Sequence, residues 1–282
     1  MPDPDAPLAP GLYVAATPIG NLGDASARLL DVLARADGVL CEDTRITGKL
    51  LSAYAIKASL HPYHDHSGPD VREKVLARLE DGAALALVSD AGTPLVSDPG
   101  YKLVREARAR GVAVHAVPGP SAPIAALMVS GAPTDRFSFH GFLPPKSKAR
   151  RDALTALGAR QETLLFFETA PRLAASLADI AEALGPRTVS VARELTKTFE
   201  EVVTGPASDL AARYETAPTK GEIVLVIHPG EGDAPLTEAE IDAALLAALS
   251  EHRIKDAAAL VAEATGLPRK QLYARALALK DQ

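Results

Sequence analysis

The chain has a single cysteine, Cys41, in 282 residues, so an intrachain disulfide is excluded and a reducing compartment is open to it. Tryptophan is absent and aromatics reach only 4%, which counts against a protein that grips nucleic acid by stacking bases on aromatic platforms. No apolar run attains the ~18 residues of a membrane span. The segment Met1-Pro2-Asp3-Pro4-Asp5-Ala6-Pro7 lacks the basic start and apolar stretch of a signal peptide. Residues 1–10 therefore read as a disordered leader and the protein as cytoplasmic. A basic excess is also missing. The net charge of −6 excludes a surface that attracts nucleic acid everywhere, but leaves room for local basic patches. There is no Gly-x-Gly-x-x-Gly fingerprint, and Gly48-Lys49 is followed by Leu50 without the upstream glycine of a phosphate loop. His61, His64 and His66 match no strong zinc spacing, so no metal is expected.

What is present alternates. Short apolar runs at 12–16, 39–41, 84–88, 112–117, 163–167, 188–191 and 223–227 read as strands. Helical patterns fall around Leu29, Leu30 and Leu33, and over 70–81, 100–110, 121–130, 149–158, 171–184 and 206–214. Such alternation predicts an α/β fold with much parallel sheet. A break near Gly131-Ala132-Pro133-Thr134 divides residues 11–131 from 132–229, two α/β domains. A Gly- and Pro-rich linker at 229–235 then leads to a helical extension, 236–282. There Thr237 and Glu240 form a capping-box pattern, and Gly266 with Pro268 turns the chain into a last helix, in the manner of a helix-turn-helix.

Three loops follow strand-like runs, where open α/β sheets bind ligands. They are Thr17 to Asn21, Ser89 to Gly100, and Val117 to Ala122. Each alone reads first as an ordinary strand-to-helix turn; three in register read as a binding rim. Asp90 and Asp98 offer carboxylates to an amine or hydroxyl there.

Residues Ser89 to Gly100 and Val117 to Ala122 resemble the nucleotide-loop motifs of the tetrapyrrole-methylase-like superfamily. Within it the chain is similar to the family that 2′-O-methylates a cytidine of small-subunit ribosomal RNA. Thr17 to Leu22, Cys41-Glu42-Asp43-Thr44-Arg45, Phe167-Glu168, Arg193 to Lys197 and Lys220-Gly221-Glu222 also match. In one departure, Ser67 and Gly68 stand where that family continues with Asn and an acid. The resemblance implies two α/β domains with an S-adenosylmethionine cleft between them, a homodimer, and the small ribosomal subunit as partner. It assigns cofactor contacts to Pro18, Asp90, Gly92, Thr93, Val96, Ser121 and Ala122, joined by Phe167, Leu195 and Thr219 of the second domain.

Methyl transfer to a ribose hydroxyl needs alignment and the handling of one proton. Asp43, Arg45, Glu168, Arg193, Glu194 and Lys197 are the candidates. Lys197 or Glu194 would manage the proton, and Arg45 and Arg193 would orient phosphates. The alternative is that Asp43–Arg45 and Arg193–Glu194 are structural ion pairs. Lys146, Lys148, Arg150 and Arg151 read as a phosphate-contact loop, or as a solvated helix start. Cations at a helix N-terminus oppose the macrodipole, which favours the functional choice. Arg269 and Lys270 of the tail are the further RNA candidates. Two rival readings remain: a methyltransferase acting on a tetrapyrrole, and a non-catalytic ribosome-binding factor.

Overall fold

The computed structural model describes residues 7–64, 67–98, 100–230, 238–265 and 267–280, without the side chains of Glu240, Glu263 and Ala264. The expected leader up to residue 6, His66, most of the 229–235 linker, the Thr237–Glu240 capping box and Gly266 lie outside the described residues. Two compact units result, one ending at Pro229 and one beginning at Gly230.

The first half of the larger unit runs β1 Gly11–Ala15, α1 Ala27–Arg35, β2 Gly38–Cys41, α2 Thr44–Ala53, β3 Leu60–Pro62, α3 Pro69–Glu80, β4 Ala84–Leu87, α4 Tyr101–Ala109, β5 Val114–Val117 and α5 Ala122–Ser130. The strands form one sheet in the order β3-β2-β4-β1-β5, parallel throughout. β2 and β4 are buried at every position, as expected of strands covered on both faces. Leu29, Val32, Leu33, Leu50 and Leu51 of α1 and α2 cover one face. Val75, Leu76, Leu79 and Leu103 of α3 and α4 cover the other. The Ser26 hydroxyl caps α1 by accepting the Leu29 N–H at 3.0 Å, and Pro69 opens α3.

The second half runs β6 Phe137–Phe142, α6 Ser147–Leu157, β7 Thr163–Thr169, α7 Leu173–Leu184, β8 Thr188–Arg193, β9 Glu201–Pro206, α8 Ala207–Thr216 and β10 Glu222–Ile227. Its sheet has the order β6-β7-β10-β8-β9. The much-parallel sheet expected from the alternation is the first sheet; the second is mixed. Only β6 and β7 are parallel there; β10 is antiparallel to β7 and β8, and β8 to β9. For β8 and β9 the physical reason is the connection, a loop too short for the crossover a parallel pair needs.

β10 shows the period of two directly. Ile223, Leu225 and Ile227 join the core under α6, α7 and α8. Val224 and Val226 face the opposite way and pack with Ala126 and Leu127 of α5. The last helix of the first half thus covers the second sheet, and the halves share one core across the 131–134 break.

The smaller unit holds α9 Glu238–Leu249, α10 Ile254–Thr265 and α11 Arg269–Lys280 around Leu245, Ala258, Val261, Leu272 and Ala276. Arg275 ties α11 to α9 through Asp242 and Glu238. Among the described residues, no helix is long and apolar enough to cross a membrane.

Candidate active site

β4, β1 and β5 are neighbours, so the loops leaving their C-terminal ends meet. Thr17 and Gly92 exchange backbone hydrogen bonds of 2.9 and 3.1 Å. The Thr17 hydroxyl donates to the Ser89 carbonyl at 3.2 Å, and the Thr93 hydroxyl to the Pro120 carbonyl at 2.9 Å. These bonds turn three turns into one rim. Ser97 and Leu95 stand in the left-handed backbone region, φ 63° and 73°. Strain of that kind, about 1–3 kcal/mol a residue, is concentrated at functional sites.

Under the rim lies a cavity of about 1000 Å³. The loops form one side and the second half forms the other, through Phe142, Phe167, Leu195, Thr219 and Val224. Its charged lining is Asp90, Asp98, Glu168, Glu215 and Glu222 against Lys220. With Glu168 paired to Arg172 and Glu222 to Lys197, the lining still keeps more acid than base, which favours a cationic ligand. The volume reaches the upper end of the roughly 300–1000 Å³ range of small-molecule pockets, enough for a cofactor together with part of a second substrate.

Of the residues the resemblance assigns to a cofactor, Asp90, Gly92, Thr93, Val96, Ser121, Ala122, Phe167, Leu195 and Thr219 line this cavity; Pro18 does not, though Ile19 beside it does. The candidate catalytic residues fare differently. Only Glu168 borders the cavity, and its carboxylate is committed: it accepts from the Ser176 hydroxyl at 2.5 Å and the Thr169 N–H at 2.7 Å, and pairs with Arg172. Asp43 is the N-cap of α2, accepting the Arg45 N–H at 2.8 Å. Hydrogen bonds from the Arg45 side chain and backbone hold its carboxyl at about 2. Arg45 pairs with Asp43, and Arg193 with Glu201.

Lys197, the expected proton manager, is engaged by two carboxylates. Its ammonium lies 2.8 Å from both Glu194 and Glu222. Burial would lower its pKa, but the hydrogen bonds to Glu194 and Glu222 outweigh that and raise it. The same lysine, with the Glu222 N–H, holds the Glu194 carboxyl below its usual range. Neither group is poised near neutrality. Glu194 and Thr196 have φ of 50° and 66°, so this pair sits on a strained loop that presents Leu195 to the cavity.

The basic loop is also corrected in part. Arg150 is 3% exposed. Its guanidinium pairs with Asp179 at 2.6 Å and donates to the Pro144 carbonyl. Arg151 bridges Asp179 and Glu182. A cation so engaged is structural; Lys146 and Lys148 stay exposed. In the smaller unit, Arg269 and Lys270 gather with Lys255 and Tyr273 around a shallow depression. Tyr273 shares that face with Arg269 and Lys270 by helical spacing along α11, whereas Lys255 reaches it only because α10 packs against α11. Asp98 was noted in the sequence as a hydrogen-bond acceptor but not as a catalyst. Its distinguishing property, burial, has no local signal.

The first half and the greater part of the second match the family model for tetrapyrrole (corrin/porphyrin) methylases over residues 11–211. Solved structures agree at the level of the fold. The methyltransferase CobJ superposes with TM-score 0.58 at 19% identity, over 78% of this chain and 94% of that one. A uroporphyrin-III C-methyltransferase from Thermus thermophilus, complexed with S-adenyl homocysteine, does so with TM-score 0.54 at 16% identity, over 77% and 97%. The fold is therefore that of the tetrapyrrole-methylase class.

Residues 235–280 match the model of the RsmI C-terminal HTH domain. The chain is 50% identical to ribosomal RNA small subunit methyltransferase I of Mesorhizobium japonicum, over 99% of this chain and 95% of the relative. It is 53% identical to the protein of that name in Erythrobacter litoralis, over 97% of each, and 46% identical to that of Escherichia coli O157:H7, over 94% of each. The chain belongs to the ribosomal RNA small subunit methyltransferase I family, and is a methyltransferase.

Proposed function

We infer that this protein, acting in the cytoplasm, methylates the 2′-hydroxyl of a cytidine in small-subunit (16S) ribosomal RNA, with S-adenosylmethionine as methyl donor. The observation that carries the reading is the acid-lined cavity beneath the three joined loops. The donor bears a sulfonium and an ammonium, both cationic, and the excess of acid over base in the lining favours it. When bound, it supplies an activated methyl group, so the chemistry asks for no metal. Thr93, Ser121 and the backbone of Gly92 and Ala122 would hold its polar parts, and Ile19, Leu195 and Val224 its apolar ones. The walls exclude water and set the line of attack.

The acid wall disfavours a polycarboxylate macrocycle such as a tetrapyrrole, because like charges would face each other. RNA phosphates would meet the exposed Lys146 and Lys148 outside the cavity, and Lys255, Arg269 and Lys270 of the smaller unit. Tyr273 among them offers a ring to an unpaired base.

The test is direct. The protein is incubated with radiolabelled S-adenosylmethionine and small subunits from cells lacking its gene, and the label is mapped after digestion. Label on one cytidine ribose is expected. Cofactor binding without labelled RNA would remove the reading.

A further inference from the structure

Of the five carboxylates that line the cavity, four are accounted for. Glu168 is held by Arg172 and Ser176. Glu222 is paired with Lys197. Asp90 accepts the Asp43 N–H at 3.0 Å and so secures the start of α2. Glu215 is exposed at the margin. Asp98 remains. It is half-buried and forms no salt bridge among the described residues. It closes the strained stretch Leu95 to Ser97, whose two left-handed residues set where the loop points.

That loop also touches the second half. A Cβ added to Gly141 (φ 65°) would sit 3.1 Å from the Ser97 hydroxyl, so the bulge of β6 approaches here. The bulge puts Phe142, 54% exposed, on the cavity wall. An aromatic face and a carboxylate that forms no salt bridge among the described residues thus border one space, two groups that suit a nucleoside with a reacting ribose hydroxyl.

We propose that Asp98 is the proton acceptor for the substrate hydroxyl. This rests on the reading of the cavity as a hydroxyl-methylating site. The carboxylate takes the hydroxyl proton while that oxygen forms its bond to the methyl carbon. The carbon–sulfur bond breaks and its electron pair stays on sulfur. One negative and one positive charge disappear together, which a low-dielectric cavity favours. The proton then returns to solvent.

The electrostatics agree. Burial raises the Asp98 carboxyl to about 6, and the neighbouring Glu42 and Asp90 carboxylates add to the rise against a Ser89 hydrogen bond. Since the ionised form is the active one, turnover should rise with pH through about 6 and then level.

The test uses the full chain, S-adenosylmethionine and unmethylated small subunits. Asp98→Asn should lower the single-turnover rate by about 100-fold or more, while cofactor affinity, measured by calorimetry, falls by no more than about 10-fold as one charge of the lining is lost. Carbon NMR of the side-chain carboxyls should show a resonance titrating near pH 6, absent from the variant. A wild-type rate and pH profile in Asp98→Asn would overturn the proposal. So would a loss of cofactor affinity as large as the loss of rate. If the variant fails to fold, Asp98→Glu decides: a displaced acid limb supports the role, an unmoved one refutes it. A wild-type protein that labels no RNA would instead sink the function itself, a distinct outcome.

Discussion

Arg150 illustrates how one residue changes meaning with its surroundings. In the sequence it is one of four cations within six positions; in the fold it is nearly inaccessible and shares its charge with Asp179. Removing Arg150 takes from the buried Asp179 its shorter ion pair and leaves it to Arg151 and the Ser147 hydroxyl, so the loss approaches, without reaching in full, the about 3–5 kcal/mol of an orphaned buried charge. Arg150→Ala should therefore shift the urea midpoint strongly. Replacing both residues by apolar ones of similar volume should restore most of the loss. An exposed phosphate ligand would show the reverse: little change in stability and weaker RNA binding. Asp98 is the opposite case: in the sequence it is one of two loop carboxylates, and burial with Glu42, Asp90 and Ser89 around it sets it apart.

The loop between β8 and β9 shows what an element contributes. Its Lys197 side chain lies against Gly20 of the first rim loop. A Cβ at Gly20 would fall 2.5 Å from the lysine stem, where φ is 144°. Gly20→Ala should cost about 1–3 kcal/mol through strain, read from denaturant unfolding. Adding Lys197→Ala should relieve the steric share but not the backbone share, giving a coupling of about 0.5–3 kcal/mol in a double-mutant cycle. Elements differed in how visible they were. β2 and β4 stood out because both faces are covered and every residue is apolar. β3, β6 and β9 had no signal: β3 is three residues long, and the other two are edge strands with mixed burial. α2 is concealed in the Cys41 to Arg45 motif, because its N-cap Asp43 also fits a catalytic carboxylate.

At the scale of the whole molecule, the acidic cavity belongs to the larger unit and the basic depression to the smaller. The triple variant Lys255→Ala, Arg269→Ala, Lys270→Ala should weaken subunit binding and flatten its salt dependence, by roughly 0.7–0.9 in logarithmic slope per lost phosphate contact. Cofactor affinity should stay unchanged. Filter binding across a salt series and calorimetry check the two halves of that expectation.

The amino-acid sequence by itself determined the alternation of strands and helices, the three Gly- and Pro-rich loops, and the helical tail. Each depends on local periodicity or on backbone geometry that a few adjacent residues dictate. Only the tertiary structure decided which ionisable groups are free to act. Lys197, Glu168 and Arg150 became engaged, and Asp98 became available, because charge state depends on burial and on partners up to tens of residues away, such as Glu222 beside Lys197 and Asp179 beside Arg150.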